Sequence, residues 1–358
     1  MINVISPINQ LGYGIAGLNI SKELHKLTGV SLWPIGQPSV TNQLDADTVS
    51  EMIQNSKMPD FKAPCIRIWH QNDMSQFAGK GLRVGFPIFE LDAFNDVEKH
   101  HLSVLDKIFV CSTWAKNVIL KEISIKEEDV HVIPLGVDTE VFKPSSPSDN
   151  DTAVFLNCGK WEVRKGHDIL VKAFNLAFSE DDNVELWMMC ENPFYNELEH
   201  MEWVNLYNRS DLGSKVRFIR RVESQEEVYN IMSQADCGVF PSRAEGWNLE
   251  LLEMMACGKQ VIATDYSAHT DFCDENNSIL IEGKHLESAY DGKWFHGQCG
   301  EWLAISENQI QHVADAMRTV FDLKAEGKLD TNNNGIETAN KYSWENSAHL
   351  ITEALSNV

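Results

Sequence analysis

The sequence predicts an α/β protein built from two Rossmann-like domains, each a parallel sheet covered on both faces by helices. Three observations carry the prediction. Short β-branched runs alternate with stretches of helical spacing, and a strand–helix–strand crossover returns in the same direction, which builds parallel sheets. A segment rich in Pro, Ser, Asp and Asn at 143–152, KPSSPSDNDT, interrupts the apolar pattern and reads as an interdomain linker. The 358 residues also exceed what one ordinary core organises.

Before the break, the first strand runs into Gln10-Leu11-Gly12-Tyr13-Gly14-Ile15-Ala16-Gly17 and a helix over 15–27. CIRIWHQND is a strand with His70 at its end, and PIFELDAF brings Glu90. KIFVCS is a strand leading into a helix over 113–123, with Ser112 and Thr113 as helix caps, and VHVIPLGV follows. After the break, AVFLNCG, VELWMMC, KVRFI, CGVFPS and QVIATD read as strands, while 166–178, 225–234, 249–256 and 309–326 have helical spacing. GKWFHGQCGEW (292–302) reads as a loop, and YSWENSAHLITEAL as a final helix opened by Ser343.

Composition excludes several classes. With 43% hydrophobic and 23% charged residues the chain is globular rather than disordered or fibrous. No apolar run reaches the ~18 residues of a membrane helix, and MINVISPINQ lacks the features of a signal peptide, so a soluble cytoplasmic protein, not integral to a membrane, is expected. Eight Cys without a Cys-x-x-Cys pair predict reduced, buried thiols and no metal framework. The net charge of -23 disfavours a polyanionic partner, but residues 1–143 hold 13 Lys/Arg against 17 Asp/Glu, and 144–358 hold 17 against 36. The first half is therefore near neutral. Lys57, Lys62, Arg67, Lys80 and Arg83 leave a polyanion possible on that side.

In doubly wound sheets ligands collect beyond the carboxyl ends of the strands, and the chemistry-bearing motifs fall there. In FPSRAEGWNLELLEMMACGKQVIAT (240–264), Glu245-Gly246 precedes a helix beginning near Asn248. The amides of Gly246, Trp247, Asn248 and Leu249 would face an anion at the helix start, a diphosphate being the natural guest. Glu253, a little over two turns past Glu245, suits ribose or sugar hydroxyls. The bland alternative makes Glu245 a cap and Glu253 a solvated helix residue. In CGKWEVRKGHDILVKAF (158–174), Lys160, Arg164 and Lys165 crowd a short loop, as an anion requires or as ordinary helix-flanking charges would. The turn around Gly12 and Gly14 suits phosphate contact or a tight connection.

PSRAEGWNLELLEMMACG resembles the signature of the retaining nucleotide-sugar glycosyltransferases of the GT-B architecture, family 4 in particular: Pro-Ser, two residues, Glu-Gly, an aromatic, a Gly-like position, Leu, three residues, Glu. Asn248 stands where Gly is common, Lys259-Gln260 where x-Pro is common, and Lys160 where the cation loop has Arg, with Arg164 able to supply the missing fork. The resemblance spans roughly residues 1–355, strongest over 155–275. It implies the GT-B fold, two facing Rossmann-like domains with a cleft between them: an acceptor domain over 1–147, a nucleotide-sugar donor domain over 148–335, and a helix over 336–358 crossing back.

The resemblance further implies Glu245 on the donor sugar, Glu253 on the ribose, Lys160 and Lys165 on the diphosphate, Gly12 and Gly14 beside it, His70 on the sugar as a second catalytic residue, and Glu90 toward the acceptor. The expected activity is metal-independent, retaining transfer from a nucleotide-diphosphate sugar to a hydroxyl, without cofactor. The acceptor stays open among saccharides, small molecules and modified DNA bases. A non-catalytic nucleotide-sugar binder is the alternative; a sugar phosphorylase would need a pyridoxal phosphate Lys and a longer chain.

Overall fold

A computed structural model describes residues 1–147 and 150–356. They divide into two compact units, one of residues 1–138 with the segment from Tyr342 onward, the other Thr139–Lys341.

The first unit alternates β1 (Ile2–Ser6), α1 (Gly12–Thr28), β2 (Val30–Pro34), α2 (Gln43–Asn55), β3 (Cys65–Ile68), β4 (Arg83–Phe86), α3 (Asp96–Ser103), β5 (Lys107–Val110), α4 (Thr113–Glu122) and β6 (Val130–Val132). The six strands form one sheet in the order β2-β1-β3-β4-β5-β6, parallel throughout. Helices start where side chains cap them. Ser112 Oγ accepts from the Ala115 amide at 3.1 Å, as its sequence position predicts, and Asn95 with Glu98 closes a reciprocal box at α3.

The second unit repeats the plan: β7 (Ala153–Cys158), α5 (His167–Ala177), β8 (Val184–Met189), α6 (Glu197–Asn208), β9 (Val216–Phe218), α7 (Gln225–Met232), β10 (Cys237–Phe240), α8 (Leu249–Ala256), β11 (Gln260–Thr264), β12 (Ile279–Ile281), β13 (Leu286–Tyr290), β14 (His296–Leu303), α9 (Glu307–Ala325) and α10 (Asn333–Lys341). Its parallel sheet runs β12-β11-β10-β7-β8-β9. Phe155, Leu186, Val239 and Ile262 of the strands pack with Leu170 and Phe174 of α5 and Val313 and Met317 of α9 in one core. The last helix, α11 (Trp344–Ser356), returns to the first unit and packs on α1. Ser343 Oγ accepts from the Asn346 amide at its start.

Four features differ from the sequence expectation. The linker at 143–152 is not a free tether: the Ser145 amide donates to the Cys257 carbonyl at 3.0 Å and the buried Lys259 ammonium donates to the Ser146 carbonyl at 3.0 Å, so this segment belongs to the second unit. Positions 148 and 149 within it, like 357 and 358 of the expected terminal segment, lie outside the described residues. The break between units falls after Asp138, and α10 stays with the second unit, leaving only the chain from Tyr342 to cross back. The stretch 292–302 is no simple loop, because β13 and β14 pair antiparallel. Asp291 Oδ1 accepts the amides of Lys293, Trp294 and Phe295 and folds the tip. Helix α6 escaped notice because it carries apolar residues on both sides: Trp203 and Tyr207 pack inward, while Leu198, Met201 and Leu206 face solvent.

Strand order locates the sites. In each sheet the chain reverses its direction of travel once, between β1 and β3 and between β7 and β10. At such a reversal the loops leaving the two strands diverge at the carboxyl edge, where doubly wound sheets bind ligands. These loops hold His70 in one unit and Lys160, Arg164, Lys165 and Glu245 in the other, whereas Gly12 and Gly14 lie in the first turn of α1, which begins three residues before the expected helix.

The loop after β7 is anchored by Trp161, which stacks on Trp203 with ring planes 5° apart and centroids 5.6 Å apart and is fully buried. Trp161→Ala should cost about 3–5 kcal/mol of second-unit stability through the cavity it opens, read as a shifted denaturant midpoint. A loss below ~1 kcal/mol would deny Trp161 that anchoring role.

Candidate functional site

The site in the second unit is built where the loops after β7 and β10 meet. Gly166 adopts φ 74°, and a Cβ there would lie 2.1 Å from the Pro241 carbonyl oxygen, so only glycine lets the two loops approach so closely. The Arg243 amide donates to the Arg164 carbonyl at 2.7 Å, and the Arg243 guanidinium forks onto Asp168 at 2.9 Å through both nitrogens.

Inside this junction the Glu245 carboxylate is gripped from three directions. Arg164 Nη1 donates to Oε2 at 2.7 Å, Lys165 Nζ to Oε1 at 3.1 Å, and Ser242 Oγ to Oε1 at 2.9 Å. Burial alone would raise its pKa, but Arg164 and Lys165 hold it well below the usual carboxylate range. Glu245 is therefore an ionised buried anion, not a helix cap. Lys165 is likewise buried, and although burial opposes its charge, Glu245 and then Glu250 keep its ammonium above the ordinary value.

Arg164 does more than stand in for a phosphate fork. Its Nη2 donates to Glu162 Oε2 at 2.7 Å and its Nη1 to the Ala244 carbonyl at 2.8 Å, so it bridges the two loops through protein acceptors. Glu162 also takes Lys160, whose Nζ lies 2.9 Å from Oε1. Burial would raise the Glu162 carboxyl, yet Arg164 and Lys160 bring it down to about 2. Sequence reasoning missed Glu162, because a carboxylate among three cations reads as a surface charge. It also missed His167, the first residue of α5. His167 Nε2 faces Asn157 Oδ1 at 3.0 Å, and its Nδ1 lies 3.1 Å from the Glu162 amide. Asn157 donates its amide to the Val239 carbonyl, which leaves its oxygen as the acceptor facing Nε2, while Nδ1 lies within reach of both the Glu162 amide and, at 3.0 Å, the Glu162 carbonyl. Burial, with Lys165 nearby, lowers the ring's pKa to about 4, which keeps it neutral.

Beyond Glu245 the chain turns into α8. No hydrogen bond among the described residues uses the backbone N–H of Gly246, Asn248, Leu249 or Glu250, so these donors and the helix dipole remain for an anion. The Trp247 ring is buried against Phe272, with centroids 4.9 Å apart, which leaves it a packing role. Glu253 lies on α8 at the carboxyl end of β7, near enough with Glu250 and Lys165 for all three to act on the Cys158 thiol. Its carboxyl is buried with no side-chain partner among the described residues, and burial, reinforced by Glu250, pushes its pKa up to about 8.

The first unit gathers its own candidates around a residue the sequence reading left unused. Tyr13 donates its hydroxyl to the Ile88 carbonyl at 2.6 Å and accepts from the Ile88 amide at 3.0 Å. His70, exposed at the end of β3, has its ring centroid 4.7 Å from that of Tyr13 and 4.8 Å from that of Trp69. Glu90 lies two residues past Ile88, and after burial its charge is the next cause raising the Tyr13 hydroxyl's pKa. The aromatic between two glycines was the signal available. A Cβ on Gly14 would sit 2.3–2.5 Å from atoms of Asn9, so that glycine serves close packing, whereas Gly12 meets nothing within 4 Å. Two of the proposed basic residues are committed: Arg67 is buried on Asp73 at 2.7 Å, and Arg83 pairs with Asp106.

Seven of the eight cysteines are buried and Cys299 is partly so, and all are free thiols. Among the described residues no group of three or more His, Cys, Asp or Glu is arranged to hold a metal ion, and no helix is long and apolar enough to cross a membrane.

Residues 152–291 match the family described as Glycosyl transferases group 1. The GDP-mannose-dependent monoacylated alpha-(1-6)-phosphatidylinositol monomannoside mannosyltransferase of Corynebacterium glutamicum is 25% identical over 173 residues, covering 43% of each chain. The phosphatidylinositol N-acetylglucosaminyltransferase GPI3 subunit of Saccharomyces cerevisiae is 20% identical over 306 residues, 81% of this chain. The match takes in 60% of that subunit, so this chain spans less than two thirds of either relative. Among solved structures, sucrose-phosphate synthase from Thermosynechococcus elongatus superposes with a TM-score of 0.73 at 16% identity, over 99% of this chain and 98% of that one. Anabaena HepE in complex with UDP-glucose gives 0.70 at 15% identity, over 100% and 99%. These likenesses are of fold.

The Glu253 shift has a measurable consequence. Between pH ~4.5 and ~8 the native carboxyl keeps a proton that the unfolded chain has released, so the group costs stability that grows as pH rises through this window and levels off above it. Glu253→Gln, a permanent mimic of the protonated form, should raise Tm by a few degrees at pH 8.5 and leave it unchanged at pH 4. An equal shift at both pH values would mean that Glu253 is ionised in the native protein.

Proposed function

We propose that this protein, whose residues 152–291 match the glycosyl transferases group 1 family and whose fold is that of GT-B proteins, transfers a sugar from a nucleotide-diphosphate donor to a hydroxyl acceptor. The observation that carries the reading is the junction of Lys165 and Arg164 with Glu245 at the α8 N-terminus. Cations, a carboxylate and a row of amides converge there at the sheet's switch point.

In this reading the amides of Gly246 and Asn248–Glu250, with Lys165 and Lys160, take the diphosphate. Charge grows on that group as the bond from the sugar's anomeric carbon to the phosphate oxygen breaks, and fixed donors aimed at it lower the barrier. The acceptor oxygen forms the new bond on the same face and its proton passes to the departing phosphate oxygen, which gives retention without a protein nucleophile. No divalent metal is assigned a step, because the lysines and amides supply the compensating charge. Glu245, held ionised and immobile by Arg164, accepts from sugar hydroxyls; Glu253 accepts from the ribose. His70 and Glu90 are assigned to the transferred sugar and the acceptor respectively. The acceptor is a hydroxyl compound whose class stays open. A small saccharide or metabolite suits the first unit better than a polyanion, since Arg67 and Arg83 are already paired.

Two substitutions test the assignment on a panel of UDP-, GDP- and ADP-sugars. Lys165→Ala should weaken binding of the matching nucleoside diphosphate about 10–100-fold, that is ~1.4–2.8 kcal/mol, measured by calorimetric titration. Glu245→Gln should cut sugar transfer about 100-fold while nucleotide affinity changes by less than ~3-fold. Binding that ignores Lys165 would remove the diphosphate from this loop, and a nucleotide-sugar that binds without ever being transferred or hydrolysed would mark a non-catalytic binder.

A further inference from the structure

Among the described non-glycine residues, only Asn248 and Ser267 have positive φ, at 84° and 54°, and both bear on the same loop. Ser267 Oγ accepts the Glu245 amide at 2.8 Å, and Asn248 is the residue from which α8 starts. A left-handed backbone is costly for any residue with a Cβ, of order 1–3 kcal/mol. Asn tolerates it best because its side chain can bond locally. Here that bonding runs in one direction through a buried chain. The His269 ring presents Nδ1 to the Thr264 carbonyl at 2.9 Å and Nε2 to Asn248 Nδ2 at 2.9 Å. A carbonyl only accepts, so Nδ1 carries the proton and Nε2 accepts from the Asn248 amide. The Asn248 oxygen is then turned to receive the Leu251 amide, 3.2 Å away in the first turn of α8. Thr264, at the end of β11, closes the circuit by donating its hydroxyl to the Ser242 carbonyl at 2.6 Å. His269 is 1% exposed and touches none of the open amides itself.

We propose that His269 is a positioning residue for the donor site: through Asn248 it holds the loop in the left-handed turn that points the amides of Gly246 and Asn248–Glu250 at an anion. This rests on reading that loop as the diphosphate site. The role has a distinctive genetic signature. Glycine adopts the left-handed turn without a side-chain brace, so Asn248→Gly should make His269 dispensable.

The test is a double-mutant cycle of His269→Ala and Asn248→Gly with two readouts. In nucleotide-free protein, hydrogen exchange of the 246–251 amides reads the brace alone. His269→Ala should raise it at least 10-fold in the wild-type background and less than 3-fold in the Asn248→Gly background. Calorimetric titration with UDP, GDP and ADP reads the site: His269→Ala should lose at least 10-fold in affinity, and the double variant should return to within 3-fold of Asn248→Gly. Equal effects of His269→Ala in both backgrounds would overturn the proposal. Wild-type protein that binds no nucleotide while the exchange cycle still shows rescue would instead overturn the site reading and leave the brace standing.

Should His269→Ala fail to fold, Asn248→Asp takes its place. The new carboxylate faces the Nε2 lone pair and needs a proton on His269, whose ring also faces Glu245, Lys165 and Arg164. Loop exchange should then fall at least 5-fold between pH 8 and pH 5.5 once intrinsic rates are divided out, and a profile like the wild type's would contradict the brace.

Discussion

The buried contact between Arg164 and Glu245 is the constraint on which this half of the molecule turns. It joins the two loops that leave neighbouring strands β7 and β10, and each partner is almost wholly withdrawn from water. Removing two charges from solvent costs several kcal/mol per ion unless every donor and lone pair finds a partner. Here most do: Glu162 and the Ala244 carbonyl take the guanidinium's other donors, and Lys165 and Ser242 join Arg164 on the carboxylate, whose Oε2 keeps a lone pair for a further donor. The pair therefore does not tolerate loss of one member. Its geometry forces the β7–α5 loop and the β10–α8 loop to arrive together, with Gly166 permitting the approach.

The same network explains how strongly basic side chains persist in a half of the chain that carries 17 Lys/Arg against 36 Asp/Glu. Lys160, Arg164 and Lys165 are matched by Glu162, Glu245 and Glu250, so the cluster is close to neutral without a ligand. An arriving anion meets donors already oriented by protein carboxylates. It must compete with Glu245 and Glu250 for Lys165, while the open amides before α8 have no such rival. In the proposed diphosphate site, affinity would thus be divided between a contested ammonium and uncontested backbone, the backbone part depending on loop conformation.

Much of this was legible in the residues alone. The alternation of strands and helices, the strand ends where ligands gather, and the clustering of Lys160, Arg164, Lys165, Glu245 and Gly246 follow from short-range pattern and spacing. What was not legible depends on contacts between residues far apart in sequence. Glu162 looks like one more surface charge until Arg164 and Lys160 close on it, and His269 looks idle until Asn248 is placed beside it. The β13–β14 hairpin was hidden by its three glycines, Gly292, Gly297 and Gly300, all of which take positive φ where a uniform strand pattern would have none. Helix α6 was hidden by the opposite fault, apolar residues on all sides.

Glu253 stands against this background of satisfied charge as the exception. Every other buried acid of the junction has a cation or a donor, yet this one has burial and a neighbouring Glu250 and nothing to offset them. A carboxyl in that position costs the fold stability at neutral pH, and an apolar residue on the same face of α8 would relieve it. Hydroxyl groups of a ligand supply what the protein withholds, since each can donate to a carboxylate oxygen and so favour its ionised form. The group is thus cheapest when a polyol is bound and most costly when the site is empty. If the proposed ribose contact forms at Glu253, that difference adds to the binding energy, which couples the cost borne by the free protein to the affinity of the proposed ligand.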